Sequence, residues 1–132
     1  MRRIVLAVLL LLGAAVLTAQ SWSAIGPPGG ELDFVAIAPS NPTTVYASSR
    51  FGGVFRSNNG ATSWDPTIEG LPTAQVQCLA ISPNDPKTVY AGTVSGAFKS
   101  TDGGVTWAPL GGGLPSGIVN SIVVVPSSGS TV

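Results

Sequence analysis

"STDGGVTW" at residues 100–107 has an earlier counterpart, "SNNGATSW", at residues 57–64. Both begin on Ser, pass through small polar residues and Gly, and end on Trp. Asp or Asn two residues into such a turn accepts hydrogen bonds from backbone N–H groups of its own turn. Gly103 and Gly104 permit positive φ where a hairpin reverses. Ser100 and Thr106 are placed to tie the two arms together. Trp64 and Trp107 offer large apolar surfaces to a neighbouring sheet, and each indole N–H needs an acceptor. The first copy carries Asn59 for Asp102, Ala61 for Gly104 and Ser63 for Thr106. Asn keeps an acceptor oxygen, so the turn survives the exchange, whereas a catalytic carboxylate would not. Ser57, Asn59, Trp64, Ser100, Asp102, Gly104, Thr106 and Trp107 therefore read as structural turn residues. Each turn holds at most one carboxylate, while Ca²⁺ takes about six to eight oxygens. No metal site and no cofactor are expected.

The pair belongs to a longer repeat. Pro39 matches Pro83 and Tyr46 matches Tyr90, 44 residues apart; Phe55 matches Phe98 and Trp64 matches Trp107, 43 apart. The first copy thus has one extra residue near Arg50–Gly52. Strand one is expected at "FVAIA" and "CLAIS", followed by a Pro-x-x-Pro turn ("PSNP", "PNDP"). Strand two is "TVYAS" or "TVYAG", and strand three "GVFRS" or "GAFKS". Strand four is expected to run through the Trp, as "TSWDPTI" and "VTWAPL". A period in the low forties with four up-and-down strands per unit is the signature of propeller blades. The expected fold is all-β: a partial β-propeller of four-stranded antiparallel blades, with units at about 31–72 and 75–115. A third copy begins near residue 118 ("NSIVVVP"). "SWSAIG" at 21–26 matches the end of a unit and reads as a leading outer strand, or as an irregular leading blade.

The 132-residue chain has no His, 9% charged residues and a formal net charge of zero. Ser-His-Asp and Cys-His catalysis are excluded within it, and no basic block marks a nucleic-acid footprint. Arg2 and Arg3 precede an uncharged run from Ile4 to Leu17, with Ala19 before a cleavage point. This reads as a signal peptide over residues 1–19, giving a secreted or periplasmic protein over 20–132 with no membrane segment after cleavage. The alternative is an uncleaved anchor, although a span needs ~20 residues. Cys78, the only Cys, sits in apolar "VQCLAIS" and reads as a buried, inert thiol.

"STDGGVTW" resembles the Asp-box, or bacterial neuraminidase repeat, Ser-x-Asp-x-Gly-x-Thr-Trp, at all five specified positions. The chain is similar to Asp-box propellers: sialidases, sortilin-type receptor domains, xyloglucan-cleaving glycosidases and photosystem II assembly factors. The sialidase resemblance implies three arginines gripping the substrate, but residues 20–132 contain only Arg50 and Arg56, and the Phe/Tyr-Arg-Ile-Pro motif is missing. The xyloglucanase-like resemblance runs over "GPPGGELDFVAIAPSNPTTVYASSRFGGVFRS" and implies a catalytic Asp where this chain has Arg50. Glu31, Asp33 and Glu69 read as solvated turn residues. The sortilin-type resemblance implies ligand binding without chemistry.

The expected function is therefore an exported, non-catalytic scaffold binding a protein or glycan ligand. Arg50 and Phe51, in the loop that is not repeated in the second unit, form its candidate binding surface. The alternative is part of a glycoside hydrolase, sialidase- or xyloglucanase-like, whose catalytic acids lie beyond residue 132. On either reading the remaining blades are expected from further sequence.

Overall fold

The computed structural model describes residues 23–28, 31–49, 52–72, 75–114 and 116–126. The signal-peptide reading, Trp22 and the Arg50–Phe51 surface lie outside the described residues. Among the described residues, eight strands form two antiparallel sheets, each in simple up-and-down order. The first blade comprises β1 (Phe34–Ile37), β2 (Val45–Ser49), β3 (Gly53–Ser57) and β4 (Asp65–Pro66). The second comprises β5 (Val76–Ile81), β6 (Val89–Thr93), β7 (Gly96–Ser100) and β8 (Ala108–Pro109).

The repeat is kept at the level of single contacts. Tyr46 pairs with Ala36 and Arg56, and Tyr90 with Ala80 and Lys99. Asn41 and Asp85 organise the Pro-x-x-Pro turns by accepting from residues just after them. Thr43 Oγ1 donates to Asn41 Oδ1 (2.8 Å), and Thr88 Oγ1 to Asp85 Oδ2 (2.8 Å). The β6–β7 turn has two residues, 94–95, closed by Thr93 Oγ1 donating to the Gly96 carbonyl (2.9 Å). The β2–β3 loop has three, 50–52, which places the extra residue of the first copy.

The core lies between the blades. Antiparallel partners share a face, so Ala36, Tyr46 and Val54 of the first sheet point one way. They meet Ile81, Val89, Ala91 and Phe98 of the second, with Trp107 closing the cluster. Burying a large apolar side chain contributes roughly 1.5–3 kcal/mol, so this layer is the main reason the two sheets stay together. On the opposite face of the first sheet, Val35 and Ile37 remain 57% and 58% exposed.

Strand four differs from expectation. It is two residues long in each blade and begins after the Trp. The Trp107 backbone N–H donates to the Glu69 carbonyl of the first blade (3.0 Å), so its backbone serves the blade interface rather than the β7 ladder. Pro66 and Pro109 lack an N–H and limit the ladder further. Residues 118–126 form no ladder, but they lie along the second blade. The Val119 N–H donates to the Thr93 carbonyl (2.9 Å) and Asn84 Nδ2 to the Pro126 carbonyl (3.1 Å).

Cys78 is a free, buried thiol whose Sγ lies 3.7 Å from the Val119 carbonyl, and burial pushes its pKa up. Thiolate is the reactive form. The folded protein is therefore expected to resist a disulfide-exchange dye at pH 8 and to label fully once unfolded. Fast labelling of the folded protein would contradict this packing.

Candidate functional site

The two Ser-to-Trp turns are built alike, one on each blade. In the second, the Gly104 N–H donates to Ser100 Oγ (2.8 Å), and Ser100 Oγ donates to Asp102 Oδ1 (2.7 Å). The Thr106 N–H donates to Asp102 Oδ1 (2.9 Å), and its hydroxyl donates to Oδ2. In the first, the Ala61 N–H donates to Ser57 Oγ (2.9 Å) and the Ser63 N–H to Asn59 Oδ1 (2.9 Å). Here the side-chain bond is reversed: Asn59 Nδ2 donates to Ser63 Oγ (2.8 Å). Asn satisfies the same frame as Asp because a hydroxyl both donates and accepts.

Gly103 and Gly104 lie at φ +77° and +84°, Gly60 at +66° and Ala61 at +68°. A Cβ in the left-handed region costs roughly 1–2 kcal/mol. Ala61→Gly is therefore expected to raise stability by about 1 kcal/mol in chemical denaturation. A loss of stability would show that the Ala61 methyl group, which is buried, matters more than its backbone strain.

The hydroxyl of Thr106, its backbone N–H and the hydroxyl of Ser100 hold the Asp102 carboxyl down at about 2. The Lys87 N–H and the Thr88 hydroxyl likewise hold Asp85 below its ordinary value. A carboxyl depressed in the folded state stabilises above its unfolded value, and that contribution is lost as pH falls through the folded value. For Asp102 the window runs from about 4 down to about 2. Asp102→Asn, which copies Asn59, is expected to fold and to remove part of the fall in melting temperature across that window. An unchanged pH profile would contradict the role given to Asp102.

Each turn also reaches across to a neighbour. Trp107 Nε1 donates to the Thr67 carbonyl (2.9 Å), three residues beyond Trp64. Trp64 Nε1 donates to the Ile25 carbonyl (2.6 Å), three residues beyond Trp22. Residues 23–28 form no ladder, yet Ile25 stands where Thr67 stands for the next blade. Arg56 Nη1 donates to the Gly103 carbonyl (2.7 Å) and Tyr46 Oη to the Pro86 carbonyl (3.2 Å).

Between the blades these groups line a polar cleft of about 410 Å³ that includes Asn41, Arg56, Lys87 and Asp102. Among the described residues that line it, Asp102 is the one acid, and both of its oxygens are committed to the turn. A second depression, of about 390 Å³, brings Asp65 and Glu69 near Arg56, and both acids are exposed. A general acid needs an environment that raises its pKa. Asp102 is shifted the opposite way, and both of its oxygens are taken by the turn. Among the described residues, no group of three or more His, Cys, Asp or Glu side chains could hold a metal ion.

No family model matches the chain, and no curated protein matches it in sequence. Solved structures do. The chain is similar to an ancestral GH74 enzyme, with a TM-score of 0.58 and 30% identity over 70% of this chain and 12% of that one. It is also similar to the GH74 xyloglucanase from Xanthomonas campestris, with a TM-score of 0.52 and 17% identity over 62% of this chain and 15% of that one. The chain therefore spans only 12% and 15% of those relatives' lengths. With the two up-and-down sheets, this similarity identifies the fold as a partial β-propeller of glycoside-hydrolase-like blades. It favours the hydrolase alternative over the binding-scaffold reading.

Proposed function

We propose that these two blades belong to a glycoside-hydrolase-type propeller acting on a xyloglucan-like glucan, with the catalytic carboxylates on other blades. The observation that carries this reading is the 30% identity to a GH74 enzyme over 70% of the chain. Most glycoside hydrolases place two carboxyl groups across the scissile bond, one of them with a raised pKa. Asp102 is used up in its turn, and the position matched to the family's Asp is Arg50. The part of these blades is then to hold neighbouring blades in register, with Arg50 and Phe51 as a candidate binding surface. The Ser-to-Trp turns are Asp-box motifs in this reading, with a structural role. The signal-peptide reading fits an extracellular task, since a polysaccharide substrate is met outside the cytoplasm.

One feature favours the scaffold reading instead: a cation, Arg50, stands at the position matched to the family's candidate catalytic Asp. Both readings are tested by incubating the complete polypeptide with xyloglucan and following new reducing ends and retention on the polymer. Release of oligosaccharides is expected. Retention without release would replace the hydrolase with a glycan-binding scaffold, and neither would sink both.

A further inference from the structure

The first Ser-to-Trp turn places Asn59 directly before Gly60. An Asn side-chain amide is open to attack by the backbone nitrogen of the next residue, and Gly leaves that nitrogen unshielded because it has no Cβ. The other Asn residues lack this setting. Asn41 precedes Pro42, which has no N–H, and Asn58, Asn84 and Asn120 precede residues with side chains.

In the folded chain the reacting atoms are held. The Gly60 N–H donates to the Thr43 carbonyl (2.9 Å), in the turn between β1 and β2. Asn59 Oδ1 accepts from Ser57 Oγ (2.9 Å) and from the Ser63 N–H (2.9 Å), while Nδ2 donates to Ser63 Oγ (2.8 Å). The Asn59 N–H donates to Ser57 Oγ (3.3 Å), and its carbonyl accepts from Thr62 Oγ1 (2.9 Å). Attack requires the nitrogen lone pair to line up with Cγ. The Gly60 nitrogen then has to leave Thr43, and the amide has to be free to turn from Ser57 and Ser63. The second blade has the same frame around Asp102 and Gly103, whose N–H donates to the Lys87 carbonyl (2.8 Å). There the side chain is a carboxylate held by Ser100 and Thr106, a poor electrophile.

We propose that Asn59 is a site of spontaneous deamidation, which the folded turn locks and local opening of that turn releases. The Gly60 nitrogen bonds to Asn59 Cγ, the Cγ–Nδ2 bond breaks, and ammonia leaves with the proton given up by that nitrogen. Water then opens the resulting succinimide at one of its two ring C–N bonds, and nothing is oxidised or reduced. Opening on one side gives an aspartyl residue at position 59 on a normal backbone. It is expected to reproduce the second turn, with the Ser63 hydroxyl turning to donate as that of Thr106 does. Opening on the other side gives an isoaspartyl link, which adds a backbone atom where Ser57 Oγ binds two nearby N–H groups, those of Asn59 and Ala61. That product cannot close the turn. The inference rests on turn geometry and stands apart from the hydrolase reading.

The test incubates the full chain at pH 8 and 37 °C, folded or in urea, and follows position 59 by peptide mapping with mass spectrometry. Deamidation is expected at Asn59 in urea and at least about tenfold more slowly in the folded chain. Gly60→Ala is expected to slow the reaction in urea at least about tenfold, by shielding the nitrogen. Ser57→Ala is expected to speed it in the folded chain at least about fivefold, while Ser100→Ala, the same change on the other blade, does not. Asn59→Asp is expected to melt within about 2 °C of the parent at pH 7. Equal rates folded and in urea overturn the proposal, as does a reaction in urea that ignores Gly60→Ala. Equal acceleration by both Ser variants would put the protection in overall stability rather than in this turn and would also overturn it. A larger fall in melting temperature for Asn59→Asp overturns the fate given to the aspartyl product.

Discussion

Trp107→Ala is expected to destabilise the chain by about 3–5 kcal/mol, the usual cost of emptying a buried Trp site. Trp107 is only 5% exposed and closes the cluster formed by both sheets. The cavity left behind is bounded by two blades, and the Thr67 carbonyl loses its indole donor. A domain of this size has about 5–15 kcal/mol in total, so the variant is expected to be largely unfolded at 37 °C. Circular dichroism on heating and in urea reads the loss. Trp64→Ala is the comparison. Trp64 is half-buried and its acceptor, Ile25, lies on a segment without a ladder. Its cost is expected to be about 1–2 kcal/mol. Equal losses would mean that Trp107 works within its own blade rather than between blades.

Gly70→Ala is expected to cost about 2–5 kcal/mol from two additive causes. Gly70 has φ +89°, where a Cβ is strained, and that Cβ would run into the Trp107 carbonyl. The colliding atom is backbone and cannot swing aside without disturbing the bond from the Trp107 N–H to Glu69. Gly113, the same position one repeat later, has φ +80° and open space around it. Gly113→Ala is expected to cost only the backbone strain, about 1–2 kcal/mol. The difference between the two variants in urea melts isolates the blade-to-blade collision, and a difference near zero would contradict it.

The strands of each blade were largely legible because apolar and β-branched runs separated by Gly and Pro turns report on local pairing. β3 and β7 fall where "GVFRS" and "GAFKS" put them, and β2 and β6 end one residue later than expected. β5 runs two residues further upstream than its copy, through a bulge between Val76 and Cys78. Strand four was not legible, because the backbone of Trp107 is claimed by Glu69, a partner 38 residues earlier. Periodicity carries no sign of such a long-range bond.

The chemistry of the turns was readable from residue type: an acceptor at 59 and 102, positive φ at 103 and 104, and an indole seeking a carbonyl. Which carbonyl it finds was not, since Thr67 and Ile25 contribute only backbone atoms and any residue type would serve. Arg56 was also missed as an interface residue. It was counted as one of too few arginines, while its guanidinium bridges to the Gly103 carbonyl. The only available signal was its pairing with Lys99 in the repeat.

Hydrogen exchange at the indole N–H groups, followed by NMR on the intact chain, probes most directly whether the Ser-to-Trp turns clamp one blade to the next. The Trp107 indole is buried between the sheets and bonded to Thr67, so it exchanges only when the blades separate. Protection of at least about a thousand-fold is expected for Trp107, with less for Trp64. Exchange of the Trp107 indole at the rate of an unfolded chain, with the sheet amides still protected, would show that the blades are not joined through it.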